Sequence, residues 1–544
     1  MLGLMQDWPL LCHRIIDHAA IYHADRPVIS RSIEGPIHRT TYADIRRRAL
    51  KVAQRLDRDG ISLGDRVATL AWNTWRHMEC WYGILGIGAI YHTVNPRLFP
   101  EQIAWIVNHA QDRVMMTDLT FVPLLEKIAD KLPSVERYVI LTDKAHMPAT
   151  TLKYAVAYED WIGEVDGDFA WRSFDENTAA GMCYTSGTTG NPKGVLYSHR
   201  SNVLHAFMAS LPDSKGISSR DVVLPVVPFF HANGWSLAFS TPLTGAALVL
   251  PGAKLDGASI YELLDQHKVT FTAAVPTVWL MLLQDLEKTG GKLPHLKRVV
   301  IGGSACPRAM TQAFQDKYGV EVIHAWGMTE MSPLGSLCTM KPEYASLSGD
   351  ARLDIQVKQG HPPFGVEMKI TDDNGKDLPW DGKTFGRLKV RGPAVARAYY
   401  KDDSRILDAD GFFDTGDVAT MDKHGYMQVT DRSKDVIKSG GEWISSIDLE
   451  NLAVGHPKVA EAAVIGVRHP KWDERPLLIV VLKKDQRATK DEILGFMQDK
   501  IAKWWMPDDV AFVDDIPHTA TGKILKTELR ERFKEYKLPV AATA

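Results

Sequence analysis

Residues 185–194 form a run of glycine and hydroxyl side chains that could surround phosphate groups. The run reads Thr-Ser-Gly-Thr-Thr-Gly-Asn-Pro-Lys-Gly. Glycines let backbone N–H groups point into one concavity, hydroxyls add donors, and Lys193 adds a positive charge, which together suit the phosphates of a nucleotide. The spacing is not that of a Walker A loop, because a glycine, Gly194, follows the lysine. A flexible surface turn is the alternative, but the apolar segments 179–184 and 195–197 on either side favour the phosphate site.

Further short motifs follow along the chain, each with residues suited to nucleotide or acid chemistry. They are Trp326-Gly-Met-Thr-Glu330, Phe413-Asp-Thr-Gly-Asp417, the polar break Asp431-Arg-Ser-Lys-Asp435 with Lys438 and Gly440-Gly441 after it, and His518-Thr-Ala-Thr-Gly-Lys523. Taken singly, each is explained equally well as a turn or a solvated charge. With the run at 185–194 they resemble, in order, the motifs of the adenylate-forming superfamily of acyl-CoA synthetases, peptide-synthetase adenylation domains and beetle luciferases. The resemblance extends from about Thr41 to Lys526, and the chain is similar to medium-chain acyl-CoA ligases and 3-methylmercaptopropionate-CoA ligases.

The resemblance implies an ATP site built from several of these motifs. Trp326 would stack near adenine, Thr329 would contact phosphate and Glu330 would bind Mg²⁺. Asp417 would hold both ribose hydroxyls, since one carboxylate can accept from a vicinal diol. The residues expected to bind ATP or AMP are Thr185, Ser186, Gly187, Thr188, Thr189, Lys193, Gly303, Ser304, Ala325, Trp326, Gly327, Thr329, Asp417 and Arg432.

The resemblance also implies a catalytic lysine on a late loop. Lys523 matches the lysine that bridges the substrate carboxylate and the α-phosphate as a mobile cation. Lys526 follows by three residues and is a weaker candidate. The family motif usually has Arg where His518 or Thr519 stands, a departure that does not touch the lysine.

A pivot and a thiol-delivery segment are implied at the polar break. Lys434 occupies the hinge position, and Arg432 would reach ribose or phosphate. Lys438, Gly440, Gly441 and Trp443 would face the site during the step that uses CoA. Lysine and arginine at a domain boundary are otherwise usually just solvated. The expected catalytic residues are therefore Lys523, Glu330 and Lys438.

The segment His231-Ala-Asn-Gly-Trp235 resembles the one that lines the acyl pocket in the family. Trp235 matches a tryptophan that gates the acyl tunnel of long-chain acyl-CoA synthetases, and Gly302-Gly-Ser304 would form the opposite wall. An aromatic residue taken by itself is more often part of a core than a gate. The residues expected to contact the acid are His231, Trp235, Gly302, Gly327 and Met328.

The elements that must position these motifs alternate along the chain. An amphipathic helix is predicted over 42–56, strands over 66–71, 89–94 and 113–116, and helices over 75–85 and 102–109. Continued to about residue 300, this alternation indicates α/β layers with mostly parallel sheets. The fold class is α/β, with a large layered N-terminal domain.

Later segments change character. Short strands over 364–370, 385–390 and 425–429 predict a β-rich subdomain at about 357–431. Strands at 462–467, 476–482 and 510–513, a helix after Thr489 and a final helix over 525–536 predict a small mobile α+β domain. We expect an N-terminal AMP-binding domain over 1–431, a hinge at 432–434 and a C-terminal lid over 435–544.

Composition narrows the function class further. The chain has 544 residues and a net charge of −3, so no global basic field favours nucleic acid or anionic membrane. The five cysteines are scattered without a Cys-x-x-Cys pair, which indicates reduced thiols and a cytoplasmic location. Segment 222–253 lacks charged residues and is long enough to span a bilayer, but its four prolines favour a buried strand and helix instead.

The resemblance identifies the chain as an ATP-dependent acid–CoA ligase that forms an acyl-adenylate and then a thioester. ATP, Mg²⁺ and CoA would be its cofactors or co-substrates, a small carboxylic acid its substrate, and a homodimer its possible assembly. Short to medium-chain acids are expected, 3-methylmercaptopropionate among them. The alternatives are a medium- or long-chain fatty acid CoA ligase, a ligase that loads a carrier protein, and a catalytically silent acyl or nucleotide sensor.

Overall fold

The computed structural model describes residues 1, 3–185, 191–432, 435–439, 442–498, 500–518 and 524–539, without the side chains of residues 442 and 443. Several expected site residues lie outside this set. They are Ser186, Gly187, Thr188, Thr189, Lys434, Gly440, Gly441 and Lys523, together with the side chain of Trp443.

The first part of the chain alternates strands and helices as predicted. Its elements are α1 (His13–Tyr22), β1 (Pro27–Arg31), β2 (Ile37–Thr41), α2 (Tyr42–Arg58), β3 (Arg66–Leu70), α3 (Trp75–Gly86), β4 (Ile90–Thr93), α4 (Pro100–Ala110), β5 (Asp112–Thr117), α5 (Val122–Ile128), β6 (Arg137–Ile140), β7 (Ala155–Ala157), α6 (Tyr158–Gly163), β8 (Ala179–Tyr184), β9 (Gly194–Ser198) and α7 (His199–Ser210). Seven of these strands form one sheet in the order β7-β6-β5-β3-β4-β8-β9, parallel except for the last pair.

Helix α2 shows how the local sequence builds this layer. Its apolar residues Ile45, Ala49, Val52 and Leu56 recur at helical spacing and are all buried. The side chain of Thr41 accepts a hydrogen bond from the backbone N–H of Asp44, which caps the first turn. The predicted amphipathic helix is therefore confirmed, with its end two residues later than expected.

A second large sheet follows from residue 222 onward. Its elements are β10 (Val222–Pro225), α8 (Ala232–Trp235), α9 (Leu237–Thr244), β11 (Ala247–Leu250), α10 (Gly257–Gln266), β12 (Phe271–Ala274), α11 (Pro276–Thr289), β13 (Arg298–Ile301), α12 (Arg308–Gln312), β14 (Glu321–Gly327), β15 (Leu334–Leu337) and α13 (Gly349–Gln356). The sheet order is β15-β14-β13-β12-β10-β11-β1-β2, with antiparallel pairs only at its two edges. The predicted mostly parallel sheets are confirmed.

The charge-free segment 222–253 lies inside this layer. It forms β10, α8, α9 and β11, and most of its side chains are buried. The prediction of a buried strand and helix is confirmed. In the part of the chain that the structure describes, no helix is both long and apolar enough to cross a bilayer.

Asn73 ties the two large sheets together. Its buried amide donates to the carbonyls of Pro225 and Val227, both at 2.9 Å, and accepts from the backbone N–H of Phe229 at 2.7 Å. Asn73 follows β3 of one sheet, whereas residues 225–229 leave β10 of the other. The carboxyl ends of the two sheets are therefore fixed relative to each other.

The remaining strands form two smaller sheets. The strands β16 (Glu367–Thr371), β17 (Gly386–Arg391), β18 (Phe413–Met421) and β19 (Met427–Arg432) form an antiparallel sheet. The last sheet contains β20 (Ile437–Ser439), β21 (Glu442–Ile444), β22 (Val459–His469), β23 (Asp473–Leu482) and β24 (Asp509–Phe512), with helices α14 (Ser446–Val454), α15 (Lys490–Met497) and α16 (Lys526–Arg532).

Two predicted elements in these regions are shorter than expected. The strand expected from Phe364 begins at Glu367, because Phe364 is exposed and follows two prolines. The final helix ends at Arg532 instead of Tyr536, since the chain turns there and the Tyr536 hydroxyl donates to Asp509 Oδ2 at 2.6 Å. The small mixed α/β unit at the C-terminal end is otherwise as predicted.

Candidate active site

The expected site residues follow the ends of strands that point to one region. Thr185 follows β8, Gly302 follows β13, and Trp326 and Gly327 end β14. In parallel sheets, ligands bind where the carboxyl ends of the strands meet. The strands on either side of the 185–194 run, β8 and β9, pair antiparallel and so form a β-hairpin.

Lys193 is positioned by the base of that hairpin. The backbone N–H of Thr185 donates to the carbonyl of Lys193 at 2.9 Å, and the Lys193 N–H donates to Thr185 Oγ1 at 3.3 Å. Its Nζ lies 4.6 Å from the ring centroid of Tyr399 and 3.7 Å from Asp402 Oδ2. Among the residues that the structure describes, these two weak contacts are the partners of the half-exposed ammonium, and a phosphate group could displace them.

Glu330 is buried and oriented by groups from two other segments. Its Oε1 accepts a 2.7 Å hydrogen bond from the Tyr399 hydroxyl, and its backbone carbonyl accepts from the Ala396 N–H at 2.7 Å. Tyr197 of β9 donates to the carbonyl of the preceding Thr329 at 2.7 Å. Burial, and after it the Glu330 charge, raise the pKa of Tyr399, so its hydroxyl remains a donor.

Trp326, Asp417 and Arg432 come together although they belong to three different motifs. The indole Nε1 of Trp326 donates to Asp417 Oδ2 at 2.9 Å, and Arg432 Nε lies 2.8 Å from Asp417 Oδ1. Arg432 also donates from Nη1 to the carbonyl of Thr415 at 3.2 Å. Asp417 is buried, but a carboxylate has about four lone-pair positions, so acceptors remain for ribose hydroxyls.

A wall of small residues faces the ring of Trp235. A Cβ at Gly302 would lie 3.2 Å from Trp235 Cη2 and 2.9 Å from the carbonyl oxygen of Ala325. A Cβ at Gly303 would lie 3.7 Å from Trp235 Cζ2, and φ is +82° there. A side chain at Gly302 would therefore crowd the indole and the Ala325 carbonyl, whereas at Gly303 glycine suits the positive φ.

The structure gives each of the other residues of the predicted acyl pocket its own contacts. Gly327 is required as glycine, since a Cβ would lie 2.1 Å from the carbonyl oxygen of Pro333. Met328 donates its N–H to that same carbonyl at 2.9 Å. His231 precedes the α8 turn and packs edge-on against Phe230, with ring centroids 4.8 Å apart. Ser304 is exposed beside the glycine pair.

The backbone that carries Trp235 is left-handed. The φ angles of Ala232, Asn233, Gly234, Trp235 and Ser236 are 36°, 51°, 62°, 52° and 65°. Only one of these five residues is glycine, so contacts outside the turn must hold it. Asn233 is buried, and its Oδ1 accepts from Thr93 Oγ1 at 3.3 Å and from Cys183 Sγ at 3.2 Å.

Lys523 and Lys526 are the two candidates for the catalytic lysine. Lys523 lies outside the described residues. Lys526 is buried, its Nζ lies 2.8 Å from Glu450 Oε1, and it donates to the hydroxyl of Ser446. A lysine held in this way cannot act as a mobile cation, which leaves Lys523 as the candidate.

The residues just before the expected hinge bind the C-terminal unit. Asp431 accepts from the backbone N–H of Ser446 at 2.9 Å, and the Ser445 hydroxyl donates to the carbonyl of Thr430 at 2.6 Å. Burial raises the pKa of Asp431, although nearby Lys526 opposes the shift. On β20, the backbone N–H of Lys438 donates to Glu474 Oε2 at 3.0 Å and its side chain is exposed.

Sequence reasoning missed four residues that shape this site: Tyr197, Asn233, Tyr399 and Asp402. Tyr399 and Asp402 lie in a stretch that reads Ala-Tyr-Tyr-Lys-Asp-Asp, where no motif marks them. An adjacent aromatic pair followed by acidic residues was the only available signal. Asn233 lay inside the predicted acyl segment but was not assigned a role.

Comparison with known proteins gives a consistent result. The AMP-binding enzyme family matches residues 16–400, and the AMP-binding enzyme C-terminal domain matches residues 448–523. A 3-methylmercaptopropionyl-CoA ligase from Ruegeria lacuscaerulensis is 50% identical over 535 residues, covering 98% of this chain and 99% of the relative. A medium-chain-fatty-acid–CoA ligase from Ectopseudomonas oleovorans is 47% identical over 533 residues, covering 98% of each chain.

A similar solved structure is the anthranilate CoA ligase AuaEII in complex with anthranoyl-AMP. It superposes with a TM-score of 0.85 at 26% identity, covering 97% of this chain and 99% of that one. Its bound molecule is an acyl-adenylate.

Proposed function

The chain belongs to the AMP-binding enzyme family and is an acid–CoA ligase, and we propose that it activates short to medium-chain carboxylic acids, 3-methylmercaptopropionate among them. One observation carries the proposal of nucleotide binding. Trp326 and Arg432, which belong to two different motifs, both contact the buried carboxylate of Asp417, which belongs to a third. The substrate part is supported by the relatives' activities and by the Trp235 ring against Gly302 and Gly303.

In the first half-reaction the acid carboxylate attacks the α-phosphate of ATP, and pyrophosphate leaves. Lys193 would neutralise phosphate charge, because its weak contacts with Asp402 and Tyr399 leave its ammonium available. Asp417 would accept from the ribose hydroxyls while Trp326 and Arg432 hold it in place. Lys523 is proposed to bring the carboxylate and the α-phosphate together.

Glu330 is the carboxylate that would hold Mg²⁺. One carboxylate with phosphate oxygens and water suits Mg²⁺, which usually keeps several waters and does not need an all-protein cage. The hydrogen bond from Tyr399 to Oε1 would orient this carboxylate and leave it lone pairs for the ion. When bound, the ion would neutralise charge on the phosphates.

In the second half-reaction the thiol of CoA attacks the acyl carbonyl of the adenylate, the bond from the acyl carbon to the bridging oxygen breaks, and AMP leaves with that oxygen. The product is a thioester, and the thiol proton is released. We propose that the C-terminal unit reorients about Lys434 between the steps, so that the segment with Lys438, Gly440, Gly441 and Trp443 replaces the loop of Lys523. The bonds of Asp431 and Thr430 to Ser446 and Ser445 would break in that motion.

We also propose a reducing, cytoplasmic setting and a homodimer. All five cysteines are free and buried, which supports the first. The second is tested by sedimentation of the purified protein.

The experiment that tests the function is a pyrophosphate-release assay with acids of increasing length, run with and without CoA. Acid-dependent pyrophosphate release and CoA-dependent AMP formation, best with short to medium acids, are expected. Release that requires a carrier protein in place of CoA would favour a carrier-loading ligase. Absence of any turnover with ATP, Mg²⁺ and the acid series would favour a silent sensor.

A further inference from the structure

Lys215 is a fully buried lysine beside the acyl-site turn. It lies in the segment between α7 and β10, and only 2% of its surface is exposed. Its Nζ donates a hydrogen bond to the backbone carbonyl of Trp235. In the part of the chain that the structure describes, no carboxylate lies within ion-pairing distance of it. Burying an amine without a carboxylate partner costs free energy of folding. We therefore expect its hydrogen bond to the Trp235 carbonyl to contribute to the fold or to the site.

Burial is the cause of the shift in the pKa of this lysine. It lowers the pKa of Lys215 to about 7, and the pKa of His205 is lowered first by burial and then by the charge of Lys215. His205 Nε2 accepts from the backbone N–H of Leu334 at 3.0 Å, so the imidazole is neutral and carries its proton on Nδ1. Both the ammonium and the neutral amine of Lys215 have N–H groups, so the bond to Trp235 persists in either form.

The turn that receives this bond needs external support. Five consecutive residues have positive φ, and four of them are not glycine, so their Cβ atoms crowd the neighbouring carbonyl oxygens in this left-handed conformation. Asn233 is held from one side by Thr93 and Cys183. Lys215 holds the other end of the turn, at the residue whose ring faces the acyl site.

The position of that ring depends on the turn. The indole of Trp235 lies against Gly302 and Gly303, and a side chain at Gly302 would crowd it. A relaxed turn with right-handed backbone at 235 would point the indole elsewhere, because the direction of Cβ follows the backbone dihedrals. The bond to the Trp235 carbonyl therefore fixes a side chain and not just a loop.

We propose that Lys215 is a specificity-determining positioning residue, whose hydrogen bond to the Trp235 carbonyl keeps the indole at the wall of the acyl pocket and limits the length of acid that the enzyme accepts. This inference rests on the proposed function, since it deepens the assignment of Trp235 to the acyl pocket. Lys215 itself touches neither the acid nor the nucleotide.

The test compares acid-length profiles of four full-length proteins: wild type, Lys215→Met, Trp235→Ala and the double variant. Methionine keeps the volume of the lysine stem but has no donor, and it is easily buried. The ratio of kcat/KM for a ten-carbon acid to that for a four-carbon acid is expected to rise roughly tenfold in Lys215→Met, within the range that a hydrophobic pocket commonly discriminates. In the Trp235→Ala background the same change is expected to have no further effect on the ratio, because there is no indole left to position.

One control variant separates an effect on acid specificity from an effect on protein stability, and a second Lys215 variant is available if the first does not accumulate. Lys358→Met removes another poorly exposed lysine, which pairs with Asp422 at 2.8 Å far along the chain, and is expected to lower the melting temperature without changing the ratio. Lys215→Gln serves if the methionine variant does not accumulate. Its amide is one atom shorter, so it is also expected to lose the Trp235 carbonyl and raise the ratio.

The outcomes are distinguishable. An unchanged ratio in foldable Lys215 variants, when Trp235→Ala does change it, would overturn this inference and leave the proposed function standing. A ratio that rises equally with and without Trp235 would also overturn it. An unchanged ratio in Trp235→Ala itself would remove the acyl-pocket assignment and this inference together, whereas wild-type turnover on no acid would defeat the proposed function.

Discussion

The hydroxyl of Tyr399 lies 2.7 Å from Oε1 of Glu330 and donates a hydrogen bond to it. A residue outside every recognised motif thus orients the carboxylate proposed to hold Mg²⁺. The same ring lies under the ammonium of Lys193, 4.6 Å from its centroid. One side chain therefore links the residue proposed for the metal to the residue proposed for the phosphates.

Tyr399→Phe is expected to weaken the use of Mg–ATP. The change removes the donor to a buried carboxylate and leaves the ring that faces Lys193, so Glu330 loses its orientation at a cost of about 1–3 kcal/mol. ATP–pyrophosphate exchange should need more Mg²⁺ for half-maximal rate. Tyr400→Phe is the matched control, since Tyr400 packs its ring edge-on against His109. Equal magnesium dependence in both variants would contradict the role of Tyr399.

Asp417→Asn is expected to raise the KM for ATP by roughly tenfold or more, because charge-assisted hydrogen bonds are about twice as strong as neutral ones. The amide oxygen can still accept from Trp326, but the ion pair with Arg432 is lost. Initial rates over a range of ATP concentrations measure the effect. Asp414→Asn serves as the control. Asp414 lies in the same strand as Asp417, but its side chain pairs with Arg387. A KM for the acid that rises instead would place Asp417 outside the ribose site.

Lys523→Ala is expected to abolish adenylate formation while thioester formation from supplied acyl-adenylate is largely retained. The reason is that its proposed role, bridging the carboxylate and the α-phosphate, belongs to the first step alone. Separate assays of the two half-reactions measure this. Equal loss of the two half-reactions would contradict the assignment of Lys523 to adenylate formation.

Lys526→Ala should behave differently from Lys523→Ala. Removing the ammonium leaves Glu450 buried without its partner, which destabilises the protein by about 3–5 kcal/mol. Denaturant unfolding should show this loss, and both half-reactions should fall together with the folded fraction. A stable Lys526→Ala protein that has lost only adenylation would transfer the catalytic role to this residue.

Trp235→Ala is expected to shift the preferred acid towards longer chains, because removing the indole opens space beside Gly302 and Gly303. The measurement is kcat/KM across a series of unbranched acids and thioether acids. Trp279→Ala, which removes a buried tryptophan of α11, is the control for loss of an aromatic core residue. The same profile in Trp235→Ala as in wild type would count against Trp235 as a pocket wall.

Lys434→Pro is expected to retain ATP–pyrophosphate exchange while CoA-dependent turnover falls steeply. Proline fixes φ and restricts the preceding residue, so it opposes rotation at the hinge more than it disturbs either fold. Exchange and overall turnover are compared on the same preparation, with circular dichroism as the check on folding. Comparable losses in both would show that residue 434 is not the pivot.

Local sequence patterns predicted much of the fold of this protein. The alternation of apolar segments predicted the two mostly parallel sheets, since each strand and helix carries its own periodicity. Glycine, hydroxyl and charged residues at fixed spacing marked the loop at 185–194, Trp326, Glu330, Asp417 and Arg432. A short motif can mark such residues because it encodes a turn and its donors within a few positions, and their roles in the site stay predictions.

The tertiary structure alone decided which side chains those motifs meet. Tyr399 reaches Glu330 across 69 positions, and Lys215 reaches Trp235 across 20, in segments without a periodic or motif signal. Lys526 is a weaker candidate for the catalytic lysine in the sequence, and its burial against Glu450 argues further against that role. Such relationships arise from packing between segments that are distant in the chain, where residue type constrains neither the partner nor the degree of burial.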